Sequence, residues 1–508
     1  MTAAPAELAA LRERMAEIAD LRGIGALLFW DQNTMMPPAG AAPRSEHLAT
    51  LQRTIHGRLT DPELSRLLDA LQPWAEGEDP DGDDVRLLAW VRRDVEKAVR
   101  VPADLAADMS RAAALGQRAW QDARGALDFG VFRDPLARQI ELRHRYAGCF
   151  EGTAAFAHPY DVLLDDFEPG LTIAELQPLL AGLQEALVPL VAEAGEPQAR
   201  GVLDGDFPLA AQRELIRGIL ATVGFDPAAW RLDESVHPFA QGVAPTDVRI
   251  TTRWADGDLG MALYSVLHEF GHGLYEAQVA PALLRTTLDE PVSLGVHESQ
   301  SRLWENVVGR SRAFCAWLLP LLRERFGGAV DGLGVPELYR GVNRVHPSPV
   351  RIEADETTYN LHVVLRVELE LALMEGRLEV ADLPAAWDEG MQRLLGVEPP
   401  NVVEGVLQDI HWGSGLIGYF PTYTLGNLIA AQLWVRLIED VPASDELLER
   451  GEFGFLREWL GERVHRHGRK FPPRELVRRA TGAELSTVPF LAYLRAKLAD
   501  TGALATRA

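Results

Sequence analysis

Apolar positions recur three and four apart over most of the chain, as in AELQPLLAGLQEALVPLVAEAG (174–195), PLLRERFGGAV (320–330) and LHVVLRVELELALMEGRL (361–378). That spacing is the mark of amphipathic or buried helices, so a mainly α protein is expected. The amino-terminal stretch AELAALRERMAEIADL (6–21) reads the same way. Turn-forming clusters interrupt the pattern at 73–84 (PWAEGEDPDGDD), 195–208, 327–336 and 397–401, and each is too short to tether independent domains. No period of fixed length repeats, which excludes a helical solenoid. One segment departs from helix: in DVRITTRW (247–254) β-branched residues alternate with polar ones, predicting a short strand.

Composition narrows the class further. With 508 residues, 47% of them hydrophobic and 24% charged, the chain is globular, with the length of one large domain or several small ones. A formal net charge of −24 repels phosphate backbones and anionic membrane surfaces, so neither nucleic acid nor membrane is an expected partner. No run approaches the ~18 apolar residues of a membrane span, and the amino terminus lacks the apolar stretch of a secretory signal. A cytoplasmic location follows as the expectation. Cys149 and Cys315 are too few and too far apart for a disulfide framework or a thiolate metal site. Any metal must therefore be held by histidine and carboxylate.

Such a site is suggested by HEFGH at 268–272, inside a helix-period stretch. Histidines four apart stand one above the other on a helix, so His268 and His272 can reach one divalent ion at roughly 2.0–2.1 Å. Glu269, one residue round the helix, falls beside a water on that ion and is placed to act as a base. A catalytic zinc usually takes a third protein ligand. The metzincin continuation is excluded, because Tyr275 and Gln278 stand where a glycine and a histidine would be needed. Glu298 and Glu305, seven apart in the next helical stretch, are the alternatives, and spacing alone does not choose between them. One could ligate while the other orients a histidine.

Beyond this motif the chain resembles the metallocarboxypeptidases of the carboxypeptidase Taq family. The likeness is carried by LLFWDQNTMMPPAG (27–40), HPYDVLLDDFEPGLT (158–172), HPF (237–239), DVRIT (247–251), HEFGH, HESQ (297–300), VRIEAD (350–355) and GVLQDIHW (405–412), in the family's order. It spans essentially the whole chain. The resemblance implies a single catalytic domain over 1–508: a large multi-helix HExxH metallopeptidase with two lobes, a deep central cleft and a small β-sheet near the zinc helix. It also implies that Glu298 is the third metal ligand, that one zinc ion is bound per chain with cobalt able to substitute, and that the protein is a homodimer.

The expected reaction removes single residues from the free carboxyl ends of peptides, with broad specificity. Glu269 takes the proton of the attacking water and returns it to the leaving amine. His411 and one of Tyr419 and Tyr423 are the expected partners of the oxyanion, a pairing the resemblance implies. The substrate carboxylate calls for a bidentate arginine, for which Arg351 and Arg249 are the candidates, and the resemblance implies Arg351. His237 and His297 are expected to orient site residues or line the substrate's path. The DVRIT strand, if it offers a free edge, could pair with an extended peptide. WDQNTMMPPAG reads as a packed structural corner. Two other readings compete: an endo-acting oligopeptidase with the same metal centre, and a non-catalytic metal-stabilised peptide-binding scaffold. The presence of Glu269 argues against the second, because a structural site needs no base.

Overall fold

A computed structural model describes residues 5–193 and 201–503. Helices dominate it, and the predicted turn clusters fall between them: Pro62–Ala75 ends before Asp83–Arg100 begins, and Arg312–Phe326 gives way to Val335–Val342. Residues 194–200, which include the start of the 195–208 cluster, lie outside the described residues. The amino-terminal helix is longer than expected. It runs Ala6–Thr34 and absorbs Trp30, so the corner starts only at Met35 and the prolines that follow, and Met35 is exposed rather than packed.

Contacts divide the chain into two compact units, the first drawn from Met1–Val99, Val202–Leu338 and Leu433–Glu484, the second from Arg100–Gly201, Tyr339–Gln432 and Leu485–Ala508. In the first unit the predicted strand is present as β3, Asp247–Thr252. It lies between β1, Trp230–Glu234, which pairs with it in parallel, and β2, Ala240–Ala244, which pairs antiparallel. The expectation of a free edge on DVRIT is therefore corrected, because both of its edges are already hydrogen-bonded. Val248 and Ile250 are fully buried beneath the helix Leu259–Ala277, which carries HEFGH.

Two glycines let this helix sit where it does. A β-carbon on Gly273 would come 2.6 Å from the ring of Trp230 and 2.8 Å from Val248, so glycine allows the helix to lie flat on the sheet. A β-carbon on Gly271 would come 2.4 Å from the backbone oxygen of Gln300, so glycine also allows close approach of the next helix, Leu294–Arg302. Both helices are capped at their starts: Asp258 accepts from Met261 N–H at 2.9 Å and Ser293 accepts from Val296 N–H at 3.1 Å.

The second unit is built around Tyr359–Met374, a helix buried on nearly all sides. It is the predicted 361–378 helix. Among its apolar residues it also buries Asn360, His362, Arg366 and Glu370. Such groups cost free energy unless partners satisfy them, so their partners matter. Ala103–Ala126 packs on Gly130–Gly148, and against the buried helix itself pack Gly130–Gly148, Pro159–Asp165, Ile173–Glu193 and Leu383–Leu395. The loop 397–420, holding QDIHW, follows the last of these.

Candidate metal centre

The helical spacing of His268 and His272 brings their Nε2 atoms to 3.2 Å of each other. Glu298, delivered by the neighbouring helix across Gly271, places Oε2 3.3 Å from His272 Nε2 and 3.8 Å from His268 Nε2. Three ligands about 2.1 Å from one tetrahedral ion would stand roughly 3.4 Å apart, so the donor set fits a divalent cation. Among the described residues these three form a group of metal-ligating type with all ligand atoms within 4.8 Å.

Glu305 occupies the other side of His268, its Oε2 2.8 Å from Nδ1. Residues seven apart on a regular α-helix would share a face. Here, however, Leu294–Arg302 passes into a π-helical turn, Leu303–Val308. The wider turn moves Glu305 off the face of Glu298, so one carboxylate meets Nε2 and the other Nδ1 of the same ring. Arg302 ties them together, donating from Nε to Glu298 Oε1 at 2.6 Å and from Nη1 to Glu305 Oε2 at 3.3 Å. The three residues are largely buried, which makes this a built support and not a solvated helix face.

Electrostatics follow from that crowding. Burial raises the carboxyls of Glu298 and Glu305, but Arg302 and the adjacent imidazoles overcome it and hold both well below the usual range. Burial works against a charged His268, yet Glu298 and Glu305 push it up to about 9. His272 is driven down to about 3 by burial and by His297, whose ring lies 4.2 Å away. Burial pushes Glu269 up to about 7, in the range where a carboxylate can both accept and return a proton.

The remaining expected residues fall into two groups. On the sheet of the first unit, Arg249 makes a bidentate pair with Asp247 at 2.8 Å and lies 4.6 Å over the ring of Trp30. His237 is exposed, and its backbone oxygen accepts from Ser235 Oγ at 2.7 Å. The HPF segment is held by Thr251 of DVRIT, whose hydroxyl accepts from Phe239 N–H at 2.8 Å. His297 lies 3.2 Å from Glu276 through Nε2.

In the second unit, Arg351, His411, Tyr419 and Tyr423 are brought together. His411 Nε2 is 3.0 Å from Tyr423 Oη, and the Tyr419 ring lies 5.1 Å from the same imidazole. Arg351 donates from Nε and Nη2 to Asp409 Oδ1 at 3.1 and 2.6 Å and from Nη1 to Tyr359 Oη at 2.8 Å. Arg366 donates to the other oxygen of Asp409 at 2.7 Å. One carboxylate thus sits between two buried guanidiniums, which hold Asp409 strongly ionised despite its burial. Burial, with both arginines, pushes His411 down to about 3. Asp355, within VRIEAD, accepts from the backbone N–H groups of His346, Thr357 and Thr358 and so frames the Arg351 segment.

Sequence reasoning missed Asp409, Arg366 and Tyr359. The signal for Asp409 was present, as the acidic residue two before His411. Arg366 was hidden inside an apolar helical run.

A histidine pair, a carboxylate converging on it and a buried glutamate on a mostly helical frame are the arrangement of a metallopeptidase class. The sequence pattern of the carboxypeptidase Taq metallopeptidases matches residues 10–498. Thermostable carboxypeptidase 1 of Thermus thermophilus is 40% identical over 96% of this chain and 98% of its own length. Carboxypeptidase 1 of Bacillus subtilis is 36% identical over 94% of both. The crystal structure of a carboxypeptidase from Deinococcus radiodurans superposes with a TM-score of 0.92 at 39% identity, over 98% of this chain and 100% of that one. The chain belongs to the carboxypeptidase Taq family and is a metallocarboxypeptidase, a metal-dependent enzyme acting on peptides. No helix among the described residues is long and apolar enough to cross a membrane.

Proposed function

We propose that the whole chain works as one catalytic domain that removes single C-terminal residues from peptides at a zinc ion held by His268, His272 and Glu298. The observation that carries this is the convergence of two Nε2 atoms and one carboxylate oxygen, with buried Glu269 next to His268 on the same helix. A dication there supplies Lewis acidity, lowering the pKa of water toward 7 and polarising a carbonyl. Glu269 takes the proton from the attacking water and passes it to the departing amine. Glu305 keeps the His268 ring turned by holding Nδ1–H.

Arg351 receives the substrate's α-carboxylate. The support is its charge environment: the single carboxylate of Asp409 pairs with two buried guanidiniums, which leaves one positive charge in excess and favours an added anion. His411 and Tyr423, already joined at 3.0 Å, supply donors to the developing oxyanion, with Tyr419 packed against the same ring. Arg249 and His237 line the path of the peptide. Cobalt can replace zinc on the same nitrogen and oxygen donors. The protein acts as a cytoplasmic homodimer with broad preference for the residue released.

Two assays test this reading. A short peptide with a free carboxylate is trimmed stepwise, whereas the same peptide as its C-terminal amide is inert; internal cuts in both would establish an endopeptidase instead. Glu269→Gln keeps the metal and loses roughly 10²- to 10⁴-fold in turnover. Normal activity in that variant would remove the assigned base.

A further inference from the structure

Glu370, on the buried helix Tyr359–Met374, is fully enclosed. Three donors converge on its carboxylate. Tyr160 O–H reaches Oε2 at 2.6 Å, Gly418 N–H reaches Oε2 at 2.9 Å, and the Trp412 indole N–H reaches Oε1 at 2.8 Å. Trp412 directly follows His411, and Gly418 directly precedes Tyr419. Glu370 therefore grips the loop at both ends of the turn 412–418, next to His411 at one end and Tyr419 at the other.

The rest of the turn is equally constrained. Gly418 has a positive φ of 90°, and a β-carbon there would lie 2.9 Å from the backbone of Leu163. Gly413 O accepts from Gln139 at 3.0 Å, and Leu407 O accepts from Trp120 at 2.9 Å. A buried carboxylate is an expensive way to close a turn, since removing it from water costs several kcal/mol before its donors repay any of it. Burial pushes Glu370 up to about 7 even with three donors facing it.

We infer that Glu370 is a positioning residue for peptide hydrolysis: by holding Trp412 and Gly418 at the two ends of the turn it fixes His411 in the geometry the oxyanion requires. The inference rests on the reading of His411 as an oxyanion donor.

Glu370→Gln is the discriminating variant. An amide offers one acceptor atom, so either orientation sets its NH₂ against Trp412 or Gly418, both of which can only donate. The loop must shift by a fraction of an ångström. Turnover should fall on the order of 10- to 100-fold with KM changed less than about 3-fold. Metal content, which reads a separate group of residues, should stay at the wild-type value. Tyr160→Phe removes the one donor that is not on the loop and should leave kcat within about 3-fold while still lowering Tm.

A cycle with His411→Ala separates positioning from general damage. In that background Glu370→Gln should cost less than about 3-fold, because the group it positions is gone. Should Glu370→Gln fail to fold, Trp412→Phe, which keeps a ring but loses the N–H, is read in the same cycle. Wild-type kcat in Glu370→Gln, or losses that multiply in the double variant, overturns the inference and leaves the His411 reading standing. Wild-type kcat in His411→Ala alone removes that reading and this inference with it.

Discussion

Removing Glu305 tests whether the second carboxylate supports the metal without touching it. Its Oε2 lies 2.8 Å from His268 Nδ1 and is also bound by Arg302, with Arg310 3.8 Å away. Loss of such an orienting partner typically costs 10- to 100-fold in metal affinity, or about 1.4–2.7 kcal/mol. In Glu305→Ala the cost should sit at the upper end, near 100-fold, for a reason specific to this site. Arg302 would be left on Glu298 alone, where it already donates at 2.6 Å, and would compete with the ion for that ligand. Glu305→Gln retains an oxygen that can accept from Nδ1–H and should lose only about 3- to 10-fold. The assay is competition for zinc against a chromophoric chelator at fixed pH, with circular dichroism confirming the fold. If Glu305→Ala binds zinc within about 3-fold of the wild type, the support assigned to this carboxylate is wrong.

Three other expectations follow from the same structure. Gly271→Ala drives a methyl toward the backbone of Gln300 and Ser301, so it should cost about 1–3 kcal/mol in stability and also weaken metal binding by displacing Glu298; unchanged Tm and zinc affinity would refute the close approach. Arg351→Lys loses the planar fork and should raise KM for free-acid peptides roughly 10- to 100-fold, and an unaltered KM would remove Arg351 from carboxylate recognition. Asp94 is raised by burial but held below its ordinary 3.8 by the bidentate Arg469 pair, at 2.7 and 2.8 Å. Its folded pKa is depressed, so its contribution is complete above about pH 3.8 and is lost as pH falls through the lower folded value. Asp94→Asn should therefore lower Tm near neutrality and flatten its decline below pH 4, whereas a decline parallel to the wild type would assign the acid limb elsewhere.

The helix that brings His268 and His272 together was legible in the chain because two histidines four apart are enough to define a face. The choice between Glu298 and Glu305 was not, because periodicity assumes an α-helix and the separation of the two depends on the π-helical turn at Leu303–Val308. DVRIT was readable as a strand from its alternation. Its neighbours were harder to read: WRLDE alternates over only four residues and AQGVA not at all, and without them the central strand looked like an edge. Trp30 was read as part of a corner because Pro37 and Pro38 follow closely, yet the helix continues to Thr34 before those prolines end it. Arg366 and Glu370, four apart, would pass on sequence for an exposed helical ion pair. The fold buries both and gives each a different partner, Asp409 for one and the 412–418 turn for the other.

One threonine has a consequence for anyone exchanging parts between relatives. Thr251 meets Phe239 through backbone N–H to carbonyl at 2.9 Å and through its hydroxyl on the Phe239 amide at 2.8 Å, while Ser235 donates to that hydroxyl at 2.8 Å. Residues twelve apart in the chain are thus one mechanical part. A chimera that imports the histidine-proline-phenylalanine stretch without its matching strand would lose the latch, so the two must travel together.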